Sequence, residues 1–163
     1  MDWPSIIDEH GPAVLRISAR ILGTGTDAED VVQETFFDAY RHWQRGSVAN
    51  WGGLLRKIAT RRAIDALRRR RVRTPLSHDP ELPKQSPDEQ LSIDEMKQLV
   101  RQELALLPNR QAEVFAMRYL DDLSNSEIAQ ALGMSVSSVS TALSKARMAL
   151  ARKLAHLKCG DPR

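Results

Sequence analysis

The 163-residue chain is long enough for one ordinary domain or two small ones. With 42% hydrophobic and 28% charged residues it has the composition of a soluble globular protein, and no apolar run approaches the roughly 20 residues that span a bilayer. A single cysteine, Cys159, excludes an internal disulfide and argues against a cysteine-based zinc site, and the net charge of +3 conceals a strong segregation of charge along the chain.

Residues 1–40 hold eight acids and two arginines, and residues 41–73 hold eleven bases against Asp65 alone. Residues 74–100 hold six acids and two lysines, and residues 101–163 nine bases and six acids. This pattern suits a protein that meets both nucleic acid and a basic protein surface. The start of the chain lacks a basic segment followed by an apolar core, so no secretory signal or membrane insertion is expected and the cytoplasm is the expected location.

Residues 3–22 read as a helix interrupted near Gly11-Pro12, with Val14, Leu15, Ile17, Ser18, Ile21 and Leu22 as its stripe and Gly23 as its stop. Gly23-Thr24-Gly25 turns into an acidic helix. Thr26 and Glu29 have the spacing of a capping box. Ala28, Val32, Phe36, Ala39, Tyr40 and Trp43 share one face of this helix. Asp30, Glu34 and Asp38 recur on nearly the opposite face. Such a row is ordinarily a solvated surface, and replacing all three by Ala is expected to leave the fold intact.

A basic helix starts near Asn50, its expected cap, and runs to about Arg71. Trp51, Leu54, Leu55, Ile58, Ala59, Ala63, Ala66 and Leu67 supply its apolar stripe, and Lys57, Arg61 and Arg68 a cationic row with Arg62 beside it. So much like charge repels itself without a counterion, and a polyanion such as nucleic acid is the natural partner. Pro75, Pro80, Pro83 and Pro87 then mark an extended linker.

The second half contains helices only. Ser86-Pro87-Asp88-Glu89 reads as a helix start, and Pro108 as the end of that helix. Residues 109–120 form the next helix, with Val114, Phe115, Met117 and Tyr119 partly inward. Ser124-Asn125-Ser126-Glu127 is a further capping box. From Glu127 to Val139 the pattern is that of a helix-turn-helix: Ala129 is small where two helices cross, Gly133 permits the left-handed turn, and Val139 locks the second helix onto the first. Ser135 caps that second helix, which leaves Ser137, Ser138, Ser140, Thr141 and Lys145 outward, where a recognition helix meets the major groove. An ordinary helical hairpin would share part of this pattern.

These stretches together resemble the extracytoplasmic-function sigma factors of bacterial RNA polymerase. The resemblance rests on Asp27-Ala28-Glu29-Asp30-Val31-Val32-Gln33-Glu34-Thr35-Phe36, on Trp51 with Leu54-Leu55-Arg56-Lys57-Ile58-Ala59, and on Ala63-Ile64-Asp65 with Leu67-Arg68-Arg69. In the second half it rests on Leu107-Pro108, Arg110-Gln111, Glu113-Val114-Phe115 and the helix-turn-helix. It implies that Asp30, Gln33, Glu34 and Asp38 dock on core RNA polymerase. It implies that the segment from Trp51 through Lys57, Arg61 and Arg62 to Arg68 opens promoter DNA at the minus-ten element, although Trp51 equally suits a core position. The second domain is implied to read the minus-thirty-five duplex, with Arg147 at the phosphates. An anti-sigma factor is a further implied partner. Arg61 stands where the family often carries Asn, and Ser140 and Ala142 where it often carries Lys or Arg.

The expected fold is all-α: two small helical domains joined by a Pro-rich linker, the second containing the helix-turn-helix. The expected boundaries are 1–73, 74–86 for the linker, and 87–163. The expected function is promoter-directed transcription initiation with core polymerase, the alternative being a stand-alone helix-turn-helix regulator. No catalysis, cofactor or metal is expected, because His10, His42, His78 and His156 are scattered and no nucleophile has a paired base. A DNA-processing enzyme would need paired carboxylates for metal ions, and none is visible.

Overall fold

The structure, a computed structural model, describes residues 2–46, 48–73 and 92–158. The described residues form helices α1 (Trp3–Leu22), α2 (Thr26–Arg45), α3 (Trp51–Arg73), α4 (Ile93–Leu106), α5 (Asn109–Tyr119), α6 (Asn125–Leu132) and α7 (Val136–Lys158). The linker and the helix start expected at Ser86-Pro87-Asp88-Glu89 lie outside the described residues.

Helix α3 is the centre of the molecule. It packs on α1 and α2 on one side and on α4, α5 and α6 on the other. Leu55, Ala59, Ala63, Ile64 and Leu67 are buried accordingly, on a broader arc than a single partner would need. Asn50 caps it as expected, its Oδ1 accepting from Gly53 N at 2.8 Å.

Helix α1 runs unbroken through Pro12, contrary to the interruption expected there. An interior proline costs about 3 kcal/mol. Ile6, Val14 and Ile17 flank it and are fully buried, at about 1.5–3 kcal/mol each, so tertiary packing outweighs the local break. Pro12 itself faces solvent.

Helix α2 departs from expectation in two ways. Its N-cap is Gly25, with no side-chain cap bond, and Thr26 is already inside the first turn. The amides of Ala28 and Glu29 both donate to Gly25 O, at 3.2 and 3.4 Å, so the box expected of Thr26 and Glu29 does not form. The buried line is Ala28, Val31, Thr35 and Ala39, while Val32 and Phe36 are only half-buried and Trp43 is exposed. Thr35 is tolerated inside because its hydroxyl donates to Val31 O at 2.6 Å. Trp3 gathers the displaced rings: Phe36, Tyr40, Trp43 and Trp51 all lie 5.1–6.2 Å from it, centroid to centroid.

The second half follows its local signals closely. Ser92 and Glu95 make a reciprocal capping box on α4, and Ser124 and Glu127 make another on α6. Gly133 is left-handed, with φ 65°, and Ser135 Oγ accepts from Ser138 N at 3.1 Å to start α7. Val114, Phe115 and Met117 are buried, but Tyr119 is exposed. Val114, Met117, Ile128, Leu132, Val139 and Leu143 build a core local to the helix-turn-helix.

The larger core crosses between the halves. Leu104, Leu107, Ala112, Phe115, Ala116, Ala146 and Leu150 belong to one cluster with Ile17, Ile21, Leu55, Ile64 and Leu67. The first three helices therefore do not enclose their apolar centre alone.

Candidate nucleic-acid and polymerase interface

On α2, Asp30, Gln33 and Glu34 are exposed and Asp38 is half-buried. The row is not free of partners. Arg62, one turn-face away on α3, donates from Nε to Asp38 Oδ2 at 2.8 Å and from Nη1 to Glu34 Oε2 at 2.5 Å, and its Nη2 also reaches Asp38. Burial lowers the affinity of Arg62 for its proton, but the two carboxylates more than reverse this and hold it above the ordinary arginine value. Beside this clasp Phe37 is 61% exposed, with the Arg41 guanidinium 4.7 Å above its ring. The sequence reading left Phe37 out. Its signal was a large ring just beyond the apolar face.

The remaining cations of α3 divide into two sets. Lys57, Arg69, Arg71 and Arg73 have no ion pair among the described residues. The others meet internal counterions. Arg61 Nε donates to Glu113 Oε1 at 2.5 Å. Arg68 donates to the carbonyls of Ala105 and Leu107 and to Asn109 Oδ1. Arg70 pairs with Asp27 and caps the end of α1 at Leu22 O. The expectation that the basic helix lacks counterions is therefore corrected: the fold itself supplies several of them. Trp51 is half-buried and packs edge-on against Trp3 at 6.2 Å.

The junction of α5 and α6 carries charges the sequence reading passed over. The Asp121 side chain is fully buried, with Arg56 Nε at 3.0 Å and Arg16 at 3.6 Å. Neither carboxylate oxygen has a hydrogen-bond donor in good alignment. Burial pushes the Asp121 carboxyl up, and Arg56 and Arg16 pull against it. Asp122, at φ 57°, turns its carboxylate to Arg20 at 3.1 Å. Glu113 was visible as the one charge in the buried run 112–117, which signals a partner.

On α7, Ser137, Ser138, Ser140, Thr141 and Lys145 are all exposed, while Val139, Ala142, Leu143 and Ala146 are buried. Asn125 Nδ2 donates to Ser140 Oγ at 3.2 Å, tying the two helices of the motif on its outer side. Arg147 is exposed and donates to Tyr119 Oη at 3.3 Å. The hydroxyls and Lys145 thus share the exposed side of α7.

An all-helical protein with a helix-turn-helix in one half and a charged helical face in the other is a DNA-binding transcription protein. Residues 6–73 match the family described as Sigma-70 region 2, and residues 97–150 match Sigma-70, region 4. The ferric citrate uptake sigma factor FecI of Escherichia coli is 34% identical over 131 residues, covering 78% of this chain and 76% of that protein. The ECF RNA polymerase sigma factor SigW of Bacillus subtilis is 27% identical over 172 residues, covering 95% and 90%. The solved structure of CnrH, in complex with the cytosolic domain of CnrY, has the same fold: TM-score 0.60 at 22% identity, covering 93% of this chain and 86% of that one. The chain belongs to the sigma-70 family, in its extracytoplasmic-function group. It is a sigma factor that binds core RNA polymerase and promoter DNA and directs transcription initiation, not a stand-alone regulator.

Proposed function

We propose that the individual surfaces divide this work as follows. Asp30, Gln33 and Glu34, with Asp38 at the edge, form the patch that docks on core polymerase. Trp51, Lys57, Arg61, Arg62 and Arg68 belong to the segment that handles melted DNA at the minus-ten element. Ser137, Ser138, Ser140, Thr141 and Lys145 read the minus-thirty-five duplex, with Arg147 at its phosphates. The functional boundaries are 1–73, 74–86 and 87–163. The factor works in the cytoplasm, with no catalytic step of its own.

The observation that carries this reading is the alternation on α7, where the hydroxyls and Lys145 are exposed and the intervening apolar residues are buried. Hydroxyls donate or accept, so they discriminate bases less sharply than a bidentate arginine does. Specificity then draws on two DNA contacts joined in one chain, the second being effectively intramolecular. The sigma factor RpoE of Bartonella quintana is solved with the anti-sigma factor NepR, and an anti-sigma factor is the further partner of this chain on the same pattern.

The test is run-off transcription with core polymerase on a library of genomic promoters. A defined set of start sites is expected, with the set changed by Thr141→Ala and uniformly weakened by Arg147→Ala. Transcripts from no promoter, or from the same promoters with core enzyme alone, would overturn the reading.

A further inference from the structure

The outward side of α7 offers methyl groups where its hydroxyl protons are already committed. Val136, Ser137, Ser140, Thr141 and Ser144 fall within an arc of about 140° on this side, at about 100° per residue. All five are exposed, and Val136 keeps 47% of its surface in water. Val139, Ala142 and Leu143 fill the packed side, in a core to which Val136 does not belong.

The hydroxyls are tied into the motif itself. Thr141 Oγ1 donates its one proton to Ser137 O at 3.0 Å, so what Thr141 offers a partner is its methyl and a lone pair. Ser135 donates to Ser138 Oγ at 2.8 Å and lies 3.1 Å from Ser137 Oγ. Ser140 Oγ accepts from Asn125 Nδ2 at 3.2 Å. A single exposed valine needs no explanation by itself. Here it is the first residue of the helix whose N-terminal turn meets the base edges, in the same row as the hydroxyls.

We infer that Val136 is a base-reading residue, and that Val136 and the Thr141 methyl select the minus-thirty-five duplex through the C5-methyl groups of thymine. The inference rests on the assignment of α7 to that duplex made above and names the base and the group that are read. Thymine is the only one of the four bases to place a methyl group in the major groove. A G·C pair offers none there, and its N4 amino group would lose water against Val136 without gaining a hydrogen bond. The Val136 methyls thus favour one base by contact and disfavour another by desolvation. Bases are discriminated by a surface whose hydroxyls have little left to donate.

The test uses the holoenzyme, the full chain with core polymerase, on the strongest promoter that the run-off selection yields. Each thymine of its minus-thirty-five segment is replaced in turn by deoxyuridine, which keeps the base pair and removes only the C5-methyl. Affinity is read by competition binding. At the positions that face the two residues, the replacement is expected to weaken binding about fourfold, the effect of one buried methyl group. Val136→Ala is expected to weaken binding to the thymine duplex and to abolish the difference between thymine and deoxyuridine at its position. Thr141→Ser keeps the hydroxyl that bonds Ser137 O and is expected to abolish the difference at the other position, whereas Thr141→Val retains it. A segment without thymine on either strand overturns the inference. So does equal affinity for thymine and deoxyuridine at every position, or a methyl effect that survives both Val136→Ala and Thr141→Ser. A methyl effect lost in only one of the two variants keeps that residue as the reader and removes the other. The assignment of α7 is read separately, by exchanging T·A for C·G pairs. If these exchanges weaken binding, α7 remains the reader even where the methyl inference fails, and indifference to every exchange overturns both.

Discussion

Arg62 on the basic helix clasps Asp38 on the acidic helix, Nε to Oδ2 at 2.8 Å, with Glu34 on its other side. Two surfaces proposed for different partners are therefore electrostatically joined.

The clasp should be measurable as coupling. Both side chains keep about a third of their surface in water, so their interaction is expected at about 1 kcal/mol in a double-mutant cycle of Arg62→Ala and Asp38→Ala read by urea unfolding. Additive effects would show that the contact contributes nothing. Replacing Asp30, Glu34 and Asp38 together by Ala is still expected to leave the fold intact, but it removes both carboxylates that Arg62 holds.

Asp30 and Gln33 separate recognition from folding. Both are exposed, and neither takes part in the Arg62 clasp. Asp30→Ala with Gln33→Ala is expected to lie within about 0.5 kcal/mol of the parent in stability while losing affinity for core polymerase in a pull-down. Full retention of polymerase would remove these residues from the docking surface.

Asp121 links stability to pH. Its burial raises its pKa, so the folded chain binds a proton there more readily than the unfolded one. The cost of burying the charged carboxylate is absent below the ordinary aspartate value and appears as pH rises through the raised value. Carboxyl NMR titration should find Asp121 above free aspartate, and Arg56→Ala should raise it further by removing the larger opposing charge. A titration at the ordinary value would contradict the burial.

The helix-turn-helix has the opposite sign. Ser124 holds Glu127 below the usual glutamate value through its backbone and hydroxyl hydrogen bonds. The resulting stability is present above the unfolded value and is lost as pH falls through the lowered one. Ser124→Ala is expected to cost about 1 kcal/mol and to move Glu127 part of the way back toward its ordinary titration, because the Ser124 backbone N–H, the larger cause of the shift, remains. An unchanged Glu127 titration in that variant would show that the hydroxyl does not act on it.

The sequence alone determined what short-range chemistry fixes. Short windows are enough to read a capping box at Ser124, a left-handed glycine at Gly133, the Asn50 cap and the alternation that exposes Ser137, Ser138, Ser140, Thr141 and Lys145. Tertiary structure decided the rest. Pro12 stays helical because buried neighbours outweigh it, and α2 turns Val31 and Thr35 inward because α1 and α3 together choose the face. Above all it decided where the charges go. Arg61 and Glu113 stand 52 residues apart in the chain, and charge counted along the sequence cannot say which cations already hold an anion. Electrostatic energy depends on distance in space and on burial, and both are set only when α3 is enclosed from two sides.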